Sequence, residues 1–178
     1  MNTKFVQNED GATAVLMAII LPILLLMGAL ILESGNYYTH FGNLHFVSHS
    51  SAQSALIETG ETLKTKAEEN YRSTCSVLIP PSVCDSDNWQ DFISANEIAQ
   101  IVLSSSHQQT IKQHVQDTIG AQLNPLPEIE IEYPAGFNPG DTTLQIQVHL
   151  SDTPQGYFPN LLNPHKISIQ GSSYLSLK

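Results

Sequence analysis

The chain has 178 residues, 41% hydrophobic and 13% charged, with a formal net charge of −10 at pH 7. That length suits one modest domain with an appendage, and an acidic surface repels phosphate backbones and anionic headgroups alike. No basic patch with interleaved aromatics occurs, so nucleic acid is excluded as a partner.

Residues 1–11 read as a short cytoplasmic leader-like segment, "MNTKFVQNEDG". Residues 12–32, "ATAVLMAIILPILLLMGALIL", carry no charge and a single conventionally polar side chain, Thr13. About 20 apolar positions in a row match the ~30 Å hydrocarbon thickness of a bilayer, so one transmembrane helix is predicted, with lipid as its surroundings. A cleaved secretory signal fits less well: the run exceeds an h-region of about 7–15 residues and no A-x-A cleavage site follows it. Lys4 before the run is also offset by Glu9 and Asp10. Pro22, in the middle of the run, lacks an N–H and crowds the carbonyl of Ala18. It is a candidate transmembrane kink, compatible with a plain anchor or with a hinge.

Over residues 33–72 the helix is expected to continue as an amphipathic one. Tyr37, Phe41, Leu44, Ser48, Ala52, Ala55 and Ile57 fall near one stripe, with Asn36, Asn43, Gln53, Glu58 and Glu61 as polar positions. No proline intervenes before Pro80, although Gly35, Gly42 and Gly60 weaken the helix signal. A helix from residue 12 to about 70 would be roughly 90 Å long at 1.5 Å per residue. From Glu33 onward six Lys and Arg face fifteen Asp and Glu, so the part outside the apolar run is strongly acidic.

Residues 73–178 are expected to form an α+β head. Cys75 and Cys84 flank "SVLIPPSV", whose Pro-Pro pair favours a stiff bent loop. An even pair closing a short loop beyond a membrane segment suits a disulfide in an oxidising compartment, two unpaired thiols being the alternative. Four-ligand zinc has no second pair to draw on. Asp85 to Asp87 read as a helix start and Ser94 with Glu97 as a capping box. "QQTIKQHVQDTIGAQL" repeats Ile111, Val115 and Ile119 at a spacing of four, so two short helices or one broken one are predicted.

Strand periodicity follows. Ile129, Ile131 and Tyr133 alternate with glutamates, and Leu144, Ile146, Val148 and Leu150 alternate with polar residues. Ile167, Ile169, Leu175 and Leu177 share one parity across Gly171, so three antiparallel strands with one wet face are predicted. "PAGFNPGD" is the hairpin loop. The longer "DTPQGYFPNLLNPH" carries Tyr157, Phe158, Leu161 and Leu162, which read as a candidate interaction loop or as a flap over the sheet.

Catalytic patterns are absent: the sequence holds no GxSxG, HExxH, Walker or GxGxxG arrangement, so an enzyme is not expected. His40, His45 and His49 form the one histidine cluster, more simply read as helix surface than as metal ligands. "DSDNWQD" lacks the central glycine and closing glutamate of a calcium loop. Neither a metal nor a cofactor is expected.

"GATAVLMAIILPILLLMGALILESGNYYTHFGNLHFVSHSSAQSALI" resembles the N-terminal segment of TadE/TadG-like proteins, the minor pilins or pseudopilins of tight-adherence (Flp-type, type IVb-related) pilus systems. The shared features are a glycine at the membrane border, a Leu-Pro inside the apolar run, an aromatic pair after it, and then a series of small residues. The tail "LQIQVHLSDTPQGYFPNLLNPHKISIQGSSYLSL" resembles their closing hairpin. The resemblance implies a pilin-like fold in a bacterial inner membrane, single-pass, with the C-terminal head in the periplasm. It also implies association with other pilins through the N-terminal helix, contact with an inner-membrane assembly platform, and a place in the pilus or at the cell surface. Cleavage by prepilin peptidase would fall between Gly11 and Ala12, and Leu16 stands where processed members carry a glutamate. Asp10 precedes the glycine in place of a basic residue. Two functions are therefore expected, a structural subunit acting in pilus initiation or at the tip, and alternatively a membrane-tethered periplasmic binding module outside the fibre.

Overall fold

The computed structural model describes residues 6–75, 84, 88–158 and 165–177, with side chains from residue 13 onward. It is an α+β protein, with the element order anticipated from the sequence. A single helix, α1 (Val6–Cys75), is followed by a 3-10 turn (Trp89–Phe92), α2 (Ala95–Leu103) and α3 (Ser105–Gln122). Strands β1 (Glu128–Glu132), β2 (Thr143–Asp152) and β3 (Ile167–Ser176) form one antiparallel sheet in the order β1-β2-β3. Asp85 to Asp87, read as a helix start, lie outside the described residues.

α1 runs without interruption through Pro22, Gly35, Gly42 and Gly60. The chain divides into two compact units, Met1–Gly42 with Thr153–Lys166, and Asn43–Asp152 with Ile167–Lys178. The second unit holds the hydrophobic core. Leu44, Val47, Ala52, Ala55, Leu56, Leu63 and Ala67 of α1 are buried there with Ile111, Val115 and Ile119 of α3 and one face of the sheet.

The stripe on α1 differs from the one read by hydropathy. Tyr37, Phe41 and Ile57 are exposed, while Ser51 and Thr59, outside that stripe, are completely buried together with Ser48, which it includes. Each buried hydroxyl bonds a carbonyl of its own helix: Ser48 to His45 (3.0 Å), Ser51 to Val47 (2.7 Å) and Thr59 to Ala55 (3.0 Å). Once satisfied in this way, a small polar side chain packs like an alanine. The benefit is close approach. A Cβ on Gly171 of β3 would overlap the Ser48 backbone carbonyl and the His49 nitrogen, so glycine is required where the strand meets the helix.

The sheet follows its period of two. Leu144, Ile146, Val148 and Leu150 are fully buried, and Val148 lies opposite Ile131 on one side and Gly171 on the other. The other face is polar, with Gln145 Nε2 donating to Tyr174 Oη (3.0 Å) and Gln170 Nε2 to Gln147 Oε1 (2.8 Å). In the β1–β2 connection Asn138-Pro139-Gly140-Asp141 closes with the Asp141 amide on the Asn138 carbonyl (3.0 Å). Gly140 supplies the positive φ of 97° that the third position of such a turn needs.

The Ser94 and Glu97 capping box is present, and it starts α2 as expected. Asn70 Nδ2 donates to Glu97 Oε1 and to the Phe92 carbonyl, each at 2.9 Å, fixing the end of α1 to the start of α2. Cys75 and Cys84 are joined in a disulfide with their Cα atoms 6.0 Å apart.

Candidate functional site: the end of the apolar segment and the loop held to it

The apolar segment of α1 is left uncovered by the rest of the described chain. Within Thr13–Cys75 an 18-residue window reaches a mean hydropathy of 3.0 with none of it buried, long and apolar enough to cross a membrane. Leu16 (58% exposed), Leu21, Leu24, Leu25 and Leu32 all face outward. Water around so many aliphatic side chains would be strongly unfavourable, at about 25 cal/mol per Å² of apolar area. Gly11 and Ala12, the candidate cleavage pair, lie within the backbone of α1. Pro22 sits in the same exposed apolar segment.

Glu33 is the first charged residue after this segment, and its surroundings could not be read from the sequence. Although a carboxylate on a helix surface, it is only 8% exposed. The loop after β2 covers it: the backbone amides of Tyr157 (2.9 Å) and Phe158 (3.3 Å) both donate to Glu33 Oε2. One turn further on, Asn36 Nδ2 donates to the Gln155 carbonyl at 3.1 Å. Gly156 lies so close to the Glu33 carboxylate that a Cβ there would collide with it. Two amide donors on one charged oxygen form a strong clamp, since hydrogen bonds to ionised groups are worth about 1.5–3 kcal/mol each.

The clamp determines where the aromatic residues of the loop lie. Tyr157 is 70% exposed and Phe158 40%, with their backbones held at the level of Glu33 and their rings outward. Tyr37 and Tyr38 of α1 are exposed one turn beyond. Leu161 and Leu162, the remaining members of the candidate interaction loop, lie outside the described residues. The only sequence signal for Glu33 was its position as the first charge past the apolar run.

In the head, a half-buried His107 joins buried Tyr133 and Thr59 in a hydrogen-bonded chain with a defined direction. The Thr59 hydroxyl donates to the Ala55 carbonyl, so its oxygen must accept from Tyr133 Oη (3.0 Å). Tyr133 Oη in turn accepts from His107 Nε2 (3.2 Å), which places a proton on that nitrogen. Burial pushes the Tyr133 phenol up to about 12, and burial holds His107 below its ordinary 6.5 against the pull of Glu58. Such a chain rigidifies the core. His114 Nε2 similarly meets Ser54 Oγ at 2.9 Å, tying α3 to α1.

The head also carries a concavity of about 180 Å³, lined by Ile93, Ile98, Phe137 and Leu177 with Asp141 at its edge, and a shallow polar groove of about 540 Å³ along α3 by Gln109, Gln113 and Asp117. Neither gathers several ionisable groups. The His45 and His49 rings lie with centroids 4.7 Å apart, tilted 50° to each other, and among the described residues no group of three or more His, Cys, Asp or Glu could hold a metal ion. Compared with known protein families, with curated proteins and with solved structures, the chain matches none of them.

Proposed function

We propose that this chain is a membrane-anchored, pilin-like structural subunit acting in the assembly of a tight-adherence, type IV-like pilus, at its initiation or at its tip, and not an enzyme. One observation carries the reading: a single 70-residue helix buries small and aliphatic side chains in a head over its second half, yet leaves a charge-free apolar stretch exposed over its first. Such a stretch serves first as an anchor in lipid and then as a packing surface for the helices of neighbouring subunits, exchanging one apolar environment for another. The disulfide favours a head in the periplasm, where oxidation is maintained. The partners are other pilins or pseudopilins through α1, the inner-membrane assembly platform, and prepilin peptidase acting between Gly11 and Ala12.

Leu16 supports that position. A subunit with a carboxylate there pairs it, in an apolar core, with the N-terminal amine of its predecessor, because an unpaired charge in hydrocarbon is costly. With leucine the chain accepts no predecessor, while its own amine after cleavage still attracts a successor. Mass spectrometry of the mature N-terminus with immunolabelling of sheared fibres tests this. An N-terminus at Ala12 with label at fibre ends is the expected result. Label along the shaft overturns the tip position, and an intact Met1 recovered only in membranes favours an uncleaved accessory that stays outside the fibre.

A further inference from the structure

We infer that the loop carrying Tyr157 and Phe158 is a second membrane contact, an interfacial foot that seats its aromatic rings among lipid headgroups and upper acyl chains beside the helix. The inference rests on the reading of α1 as a membrane anchor and goes beyond it.

Glu33 directly follows Leu32, the last residue of the apolar run, so it marks the height at which a spanning helix leaves hydrocarbon. The amides of Tyr157 and Phe158 bond its carboxylate, which holds the loop at that height and no other. The Asn36 bond to the Gln155 carbonyl adds a second attachment one turn further on. A carboxylate at the edge of a bilayer is unfavourable while bare. Here the loop shields it, so that the charge fastens the loop in place without facing the acyl chains.

The side chains fit the location. Tyr157 and Phe158 turn outward from the clamp, exposed by 70% and 40%. Tyrosine, with an apolar ring and a polar tip, is enriched where hydrocarbon meets water. Tyr37 and Tyr38 continue the aromatic level on α1 itself. The net charge of the chain is strongly negative, so the contact is with zwitterionic lipid through ring burial and not through headgroup charge. A rigid second foot would limit the rotation and tilt of the helix, presenting one face of the apolar segment to a neighbour.

Tryptophan quenching in phosphatidylcholine vesicles tests this with the full chain. Tyr157→Trp is compared with the parent protein, whose Trp89 supplies the baseline, and with Leu25→Trp as a marker for the middle of the span. Lipids brominated near the headgroup should quench the indole introduced at position 157 more than lipids brominated near the chain ends, with the order reversed for the indole at position 25. Gly156→Val, which breaks the clamp by steric overlap with Glu33 and leaves α1 unaltered, should lower the added quenching at position 157 by about twofold or more. A position-157 probe quenched no more than the Trp89 baseline, with the position-25 probe strongly quenched, overturns the foot and leaves the anchor standing. Neither probe quenched overturns the anchor and the foot together. Unchanged quenching in Gly156→Val overturns the role of the clamp.

Discussion

Leu24 and Leu44 lie on the same helix and meet opposite surroundings. Leu24 is 60% exposed among other aliphatic side chains, whereas Leu44 is completely buried in the head. The helix is continuous and the two side chains are identical, so what separates them is what the rest of the chain brings to each. Around Leu44 the helix turns to serine, alanine and threonine, and the sheet comes within backbone contact at Gly171. Around Leu24 it keeps large aliphatic residues and receives nothing from the described chain. The described chain leaves the first segment exposed and covers the second.

Truncating each leucine should give the largest effect. Leu44→Ala removes a fully buried side chain and is expected to destabilise the head by about 2–5 kcal/mol, whereas Leu24→Ala should alter it by under about 0.5 kcal/mol. Denaturation of the full chain in detergent, followed by the fluorescence of core-packed Trp89, measures both. Equal losses would mean that the two segments share one folding unit.

Next comes the disulfide. Cys75 closes the C-terminal end of α1, and its bond to Cys84 constrains a loop of about ten residues, worth about 2–3 kcal/mol through the unfolded state. Reduction should therefore lower head stability by that amount while membrane retention of the chain stays the same. A further loss, of about 1–3 kcal/mol, is expected for Gly171→Ala, since the added methyl meets backbone at Ser48 and His49 and the strand has to lift off the helix. Thermal unfolding of this variant beside the parent measures the strain at that crossing.

How much of this was legible in the sequence follows from the range of the interactions. Leu144, Ile146, Val148 and Leu150 announced their sheet face because alternation is a local property, and Ser94 with Glu97 announced a helix start because a capping box closes over three residues. Ser51 and Thr59 were harder. Hydropathy ranks them as polar and favours Ile57 and Phe41, yet hydroxyls bonded to their own helix carbonyls were buried and the larger side chains left outside. Glu33 was illegible in principle. Its donors lie 124 and 125 residues away, and nothing in the spacing of a lone carboxylate reveals an amide that far along the chain.

The smallest effect distinguishes the head from the apolar segment by pH. His107 is held below its ordinary 6.5 by burial, so between the folded and unfolded values the unfolded chain binds more protons. Its contribution to stability is complete above 6.5 and is lost as pH falls toward the folded value. Glu97 acts lower. The Ser94 amide, then its hydroxyl and Asn70, hold that carboxyl below 4.5, so its contribution is present above 4.5 and lost as pH falls through the depressed folded value. Tyr133 acts at the other extreme: with the phenol raised from 10.0 to about 12, its contribution is present below 10 and lost as pH rises through about 12. Three windows, one for each group, can thus be removed separately. His107→Gln should flatten the decline in head stability as pH falls below 6.5 while leaving the fall below 4.5 and the alkaline arm in place. Urea midpoints of the parent and variant across that range measure it. An undiminished slope in the variant would separate the decline from His107, whereas a flattened slope ties the acid response of the head to the chain that runs from His107 through Tyr133 to α1.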